Sequence, residues 1–315
     1  MTSNPREEEL RVEGQADEER RFDRATATAQ PVRQTNLWKD AYFRYIRNKG
    51  AVVAAVVFLL FVLYAALWPI VSPYDPYKVD FAEANMRPTL EHPLGTDRFG
   101  RDLLTRTALG ARVSISIALM ATLAILVIGV VYGAISGFVG GHLDNAMMRL
   151  LDALYGLPYL PFAIIMIAIF GGASFWTMVI ALSVVSWFTE ARIMRGQVIT
   201  LKENDYVRAA RAVGARWHRI LARHLVPNTL GVLIIAIFLS IPSIVLAEAF
   251  LSFIGLGISP PNASLGSLAQ DGRAVYRVHP YQIIIPSVAI ATLVLCANFI
   301  ADGLRDALDP RTRET

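Results

Sequence analysis

Long apolar runs without a charged residue alternate with short polar stretches over most of the chain. The first run, AVVAAVVFLLFVLYAALWPIV at 51–71, carries no charge. A helix rises about 1.5 Å per residue and the hydrocarbon core is about 30 Å thick, so about 20 such residues cross it. Further runs at 113–138, 153–170, 175–188, 229–253 and 283–300 predict five more spans. The third is interrupted by Pro158 and Pro161, and the fourth is short but continues helically toward Arg192. The fifth and sixth carry Pro242 and Pro286, which are tolerated where neighbouring helices satisfy the freed carbonyls. SPYDPYKVD after the first run breaks any helix, and GGHLDNAMMRLLD after the second reads as a short polar turn.

The remaining pattern divides the chain. Residues 1–35 are rich in Glu, Arg, Asp, Ala, Thr and Gln, and such a segment buries too little apolar surface to offset its ordering entropy. They predict a disordered tail, not a signal peptide, because the first apolar run starts too late. Residues 36–50 form a basic amphipathic juxtamembrane segment with Lys39, Arg44, Arg47 and Lys49. A first transmembrane helix at 51–72, a loop at 73–111, a membrane core at 112–303 and a tail at 304–315 follow. The predicted fold class is an all-α integral membrane protein with six transmembrane helices.

Composition supports the count: 54% of residues are hydrophobic, above the roughly 45–50% of soluble domains. The net charge of +4 is mild, and its placement says more. The 190–228 loop holds eight basic and three acidic residues, whereas 73–111 holds five and six. Basic short loops stay in the cytoplasm. Both termini and the 190–228 loop are therefore expected there, in a multi-pass membrane protein. Cys296 is the one cysteine, which excludes an intrachain disulfide and a cysteine-based metal site.

YVRAARAVGARWHRILARHLVPN, residues 206–228, is the least expected stretch in so apolar a chain. Tyr206, Ala209, Ala210 and Val213 recur at helical spacing, with Arg208 and Arg211 off that stripe. Gly214 permits a sharp turn. Beyond it Trp217, Ile220, Leu221, His224 and Leu225 form a second stripe, and Pro227 ends that helix or opens the next span. Two short amphipathic helices hinged at a glycine fit an interfacial segment on lipid headgroups. They fit equally a docking element for a cytoplasmic protein, and the residue pattern leaves both open.

Other chemistry is sparse. No GxxxxGK[ST] phosphate loop and no GxSxG occur, and the five histidines lack zinc-like spacing, so no catalytic, cofactor or metal site is expected. GTDRFGRD at 95–102 reads as a structured external turn, with a substrate gate or binding-protein contact as the sharper alternative. Glu248, near the outer end of the fifth span, and Asn298 in the sixth are candidates for a translocation path or gate, or for structural pairing.

RAARAVG at 208–214 resembles the EAA loop of ABC importer permeases. Arg208 stands where the family's glutamate would, and Ala209, Ala210 and Gly214 match. HPLGTDRFGRDLLTRTALGARVSI, EAFLSFIGLGISPPNASLG and DGLRDALDPR resemble the same family's other blocks in the same order. Together they resemble the second, C-type permease of dipeptide, oligopeptide and nickel importers, over about residues 36–311. The resemblance implies a type I ABC importer permease (MetI-like) fold with cytoplasmic coupling helices at 205–228. Within that loop it implies ATPase-coupling roles for Tyr206, Arg208, Ala209, Ala210, Gly214, Ala215, Ile220, His224 and Pro227. The implied partners are a homologous permease, two ATP-binding subunits carrying ATP and Mg, an extracytoplasmic substrate-binding protein and the lipid membrane, with no nucleic acid. The chain itself is then no enzyme. Peptides are the expected cargo. Nickel or another small solute on the same architecture is the alternative, and an ATP-independent secondary transporter is the more distant one.

Overall fold

The structure is a computed structural model that describes residues 37–308. The expected tail at 1–35 and all but the first five residues of the one at 304–315 lie outside that range. Contacts divide the chain into residues 1–40 and 41–315, and the account below concerns the second unit and the helix that leads into it. Among the described residues the elements are helical, apart from an isolated bridge between Thr96 and Asp102.

Helix α1 (Leu37–Arg47) stops at Asn48, whose side chain caps α2 (Lys49–Val71) by accepting from the Ala51 N–H. Between them they account for the described part of the 36–50 segment and for the first span. α2 buries only Ala51, Ala54 and Ala65 and exposes Val53, Leu60, Leu63 and Leu67 on its other sides. An uncharged helix apolar all round suits hydrocarbon rather than water. The long α3 (Leu103–Val139) is capped by Asp102, which accepts from the Thr105 N–H at 2.8 Å. It runs through the middle of the packing, against α2 on one side and against the helices after residue 174 on others.

The third and fourth spans depart from expectation. The stretch read as a polar turn is a helix, α4 (Gly141–Tyr155), with one face tied down through Asp144 and Leu151. The predicted third span is only α5 (Tyr159–Ile169), meeting α4 at 94°. Gly156 and Pro158 lie at that corner, and Pro161 falls in the first turn of α5, where a missing N–H costs nothing. The fourth span, α6 (Phe175–Ser186), starts at a Ser174 cap and bends by 47° into α7 (Phe188–Leu201). Four single helices are long and apolar enough to cross a membrane, and the count reaches six when each bent pair is one span.

After α8 (Asp205–Ala212) a helical run, α9, extends from Trp217 to Leu256, kinked at Gly255 near its end, where φ is +96. Pro227 opens its long α-helical part, lying in the first turn of Val226–Leu251. Proline cannot donate to the ladder, and the helix accommodates this with a π-turn at Leu221–Leu225, where the Val226 N–H reaches the Leu221 carbonyl. A short helix, α10 (Leu265–Arg273), opened by a Ser264–Ser267 capping box, precedes α11 (Tyr281–Leu308). α11 packs against α2, α9 and α10. The main core joins Ile117 and Ile125 of α3, Ile167 of α5, Leu182 of α6, Leu251 of α9 and Leu293 of α11. The bundle thus has two ends. One gathers the start of α2, the end of α3, the 205–228 segment and the end of α11. The other gathers the 73–102 loop, the end of α9, α10 and the start of α11.

Candidate functional site

At the first end, α8 closes in a Schellman motif. The Gly214 N–H donates to the Arg211 carbonyl at 2.9 Å and the Ala215 N–H to the Ala210 carbonyl at 3.0 Å. Gly214 sits at φ +80, and a Cβ there would meet nothing within 4 Å. Its requirement is conformational, since left-handed backbone favours glycine. The turn folds α8 back toward α9. Val207, Ile220, Leu221 and Leu225 point inward and cluster with Ala134 of α3 and Met194 and Val198 of α7. The Phe138 ring lies against both arms, 5.2 Å from the Arg211 guanidinium and 6.4 Å from the Trp217 ring. Asn228 Nδ2 donates to the His224 carbonyl at 2.7 Å and to Tyr206 Oη at 3.4 Å.

The predicted coupling residues are thereby sorted. Tyr206, Arg208, Ala209, Gly214 and Pro227 are exposed, whereas Ala210, Ala215 and His224 are half-buried. Arg208 lies 3.6 Å from Glu203, with both side chains in solvent. Ile220 is buried and holds the segment down rather than presenting itself. Two residues outside the predicted set dominate the surface: Val213, 85% exposed, and Trp217, 51% exposed. The helical stripes placed both on apolar faces, but a stripe does not say which residues at its edge find cover.

The mounting for this segment is the α3–α7 contact. Gly129, Gly133 and Gly137 recur every fourth residue on α3 and face Glu190, Ala191, Met194 and Arg195. A Cβ on Gly129 would come within 2.7 Å of the Glu190 Cβ, and one on Gly133 would collide with the Ala191 carbonyl. Small residues at this spacing let two helix backbones approach closely. Arg195 clamps Asp144 through Nε at 2.5 Å and Nη2 at 2.6 Å. Lys202 Nζ donates to the Gly137 carbonyl at 2.9 Å. The GxxxGxxxG spacing was present in the sequence as the signal for this contact.

At the second end, Glu248 is fully buried and accepts from Ser114 Oγ at 2.8 Å and Ser252 Oγ at 2.7 Å. Ser114 in turn accepts from the Leu265 N–H at 3.1 Å, so the carboxylate ties α9, α3 and α10 together. Asn298 is exposed, donates to the Val294 carbonyl of its own helix and does not join Glu248. The GTDRFGRD stretch forms a folded corner: Asp102 also meets His92 Nδ1 at 2.9 Å, and Asp97 holds Arg101 Nε at 2.7 Å. Arg98 pairs with Asp271 of α10 at 2.9 Å. Burial pushes the Asp271 carboxyl above its ordinary range, against the opposing pull of Arg98, Arg101 and Arg106. Among the described residues no cluster of His, Cys, Asp and Glu could hold a metal.

The family described as "Binding-protein-dependent transport system inner membrane component" matches residues 129–314, which include the whole 205–228 segment. The chain belongs to this family. The N-terminal TM domain of oligopeptide transport permease C matches residues 36–88. Individual relatives agree with the family. The Oligopeptide transport system permease protein OppC of Bacillus subtilis (strain 168) is 40% identical over 279 residues, covering 89% of this chain and 91% of that protein. The Dipeptide transport system permease protein DppC of the same organism is 40% identical over 276 residues, covering 87% and 86%. OppC of Escherichia coli (strain K12) is 40% identical over 284 residues, covering 90% and 94%. A solved structure of inward-facing conformations of the MetNI methionine ABC transporter aligns at 17% identity, with a TM-score of 0.46 over 62% of this chain and 94% of that one.

Proposed function

We propose that this chain is a transmembrane permease subunit of an ABC importer of dipeptides and oligopeptides in a bacterial cell membrane. It pairs with a homologous permease to enclose the path. Two ATP-binding subunits, holding ATP and Mg, dock on the 205–228 segment from the cytoplasm. An extracytoplasmic binding protein delivers peptide at the end formed by the 73–102 loop and α10. The peptide assignment rests on the oligopeptide and dipeptide permeases that the chain resembles along most of its length. The orientation, with both termini cytoplasmic, rests on the excess of Lys and Arg at 190–228 over 73–111.

The observation that carries the coupling role is the two-sidedness of residues 205–228. One side, Val207, Ile220, Leu221 and Leu225, is sealed into α3 and α7, while Arg208, Ala209, Val213, Gly214 and Trp217 stand out from the bundle. Lipid headgroups would need neither a close-packed glycine mounting nor a protruding capped turn. A docked ATPase that closes on nucleotide needs both, because force passes only through a handle that does not yield. Nucleotide can shift the permease only through contacts that differ between its two states. The exposed face supplies such contacts, and α7 and α9 carry the displacement as rigid bodies.

The test is Ala209→Trp in the co-expressed transporter. The permease pair is expected to assemble as before, with loss of most ATPase subunit on co-purification and of labelled di- and tripeptide uptake in a strain lacking the native chain. Unchanged ATPase recovery and uptake would refute coupling through this surface.

A further inference from the structure

At the second end of the bundle, the 73–102 loop and the segment following α9 enclose a pocket of about 430 Å³. Phe99, Ile258 and Pro260 give it apolar walls, and Arg98, Arg101 and Arg106 give it three guanidinium groups. Two of the three already have counter-charges: Arg98 in Asp271 and Arg101 in Asp97. Arg106 has none. It is 2% exposed, and among the described residues no carboxylate lies within ion-pair distance of it. Its Nη1 donates to the Pro261 carbonyl at 3.0 Å and to the Pro76 carbonyl at 3.3 Å, while its Nε has no partner.

A buried charge is costly unless it is paired and hydrogen-bonded. Two carbonyls compensate the Arg106 guanidinium only in part, and Arg106 is one of the residues lining the cavity, its unpartnered Nε buried behind that wall. The group that completes it carries one negative charge, because one cation is in excess. A planar, two-oxygen acceptor matches the free edge of a guanidinium better than a spherical anion does. The apolar walls suit a hydrocarbon side chain attached to that acceptor. We propose that this pocket binds the C-terminal carboxylate of a peptide, with Arg106 as the counter-charge and Phe99, Ile258 and Pro260 against the last side chain. The proposal rests on the peptide-importer reading above.

The assembled transporter in lipid nanodiscs, without its binding protein, is titrated with N-acetyl-alanyl-alanine and with its C-terminal amide, binding being read by saturation-transfer NMR. The acid is expected to bind at least ~10-fold more tightly than the amide, as loss of a charge-assisted pair implies. Arg106→Gln removes that preference. Asn262→Trp, on the exposed rim, blocks the pocket while leaving Arg106 in place, and removes binding even if Arg106→Gln fails to fold. Equal binding of acid and amide, or wild-type binding by Asn262→Trp, overturns the proposal. So does failure of both probes to bind; if both variants then weaken affinity for the binding protein, an acidic side chain of that protein fills the pocket instead. Uptake of labelled peptide by the wild-type transporter tests the importer reading separately. Import with equal binding of acid and amide sinks the pocket assignment alone.

Discussion

Glu248 shows how much one side chain can hold. Its two oxygens each take a serine hydroxyl, one from α3 and one from its own helix, with no water-exposed surface. Glu248→Ala would leave both hydroxyls without an acceptor, at a cost of ~1–3 kcal/mol for each buried group left unsatisfied. Glu248→Gln keeps one acceptor oxygen. We expect the alanine variant to melt well below the wild-type complex in detergent and the glutamine variant to fall between them; equal melting of the two would refute the role of acceptor loss. The sequence made this residue conspicuous, because an acid inside an apolar run is rare and functional by default. It could not reveal Ser114, 134 residues away, since serines are common in spans and nothing in their spacing marks a partner on another helix. Gly214 was the opposite case: a glycine closing a helical stripe is a local signal, and its left-handed backbone followed.

Between elements, the decisive contact is α3 against α7. Gly133→Leu would drive a side chain into the Ala191 carbonyl, and overpacking of this kind costs about 1–3 kcal/mol. Because α7 feeds directly into the 205–228 segment, the variant is expected to retain membrane insertion but to lose stimulation of ATP hydrolysis by the binding protein. Gly196→Ala, on α7 itself with nothing within 4 Å of a Cβ, is the control and should match wild type or gain about 0.5–1 kcal/mol from helix propensity. Loss of stimulation in both would place the defect elsewhere than in helix approach. Helix identity was legible wherever a long uncharged run occurred, as in α2 and α11. It failed at 141–155, where polar residues suggested a turn. There the helix survives because Asp144 is buried in the Arg195 clamp and Leu151 lies against Phe188 and Ala191, so tertiary packing overrode local polarity.

At the scale of the whole molecule, the six-run pattern was readable because hydrophobic length is a composition property. The bends at the third and fourth runs were not, since a proline tells where a helix is weakened but not through what angle. The orientation is testable with single cysteines in a Cys296→Ala background. Leu90→Cys, in the most exposed part of the 73–102 loop, is expected to react with a membrane-impermeant maleimide in intact cells. Val213→Cys should react only after permeabilisation. The reverse pattern would invert the membrane placement and with it the side on which ATPases bind.

The 40 residues of α9 run from Trp217 to Leu256, with one non-helical residue, Gly255, close to the tip. At about 1.5 Å per residue this is a rod of about 60 Å, far more than hydrocarbon alone requires. Its foot is at the protruding turn, and its upper part carries the serine-held carboxylate and leads into the segment whose Ile258 lines the arginine pocket. A nudge at the foot therefore arrives at the tip as a tilt, much as a tiller turns a rudder. On the proposed function, nucleotide closure and peptide arrival would act on opposite ends of one mast, with no relay of loops needed to connect them.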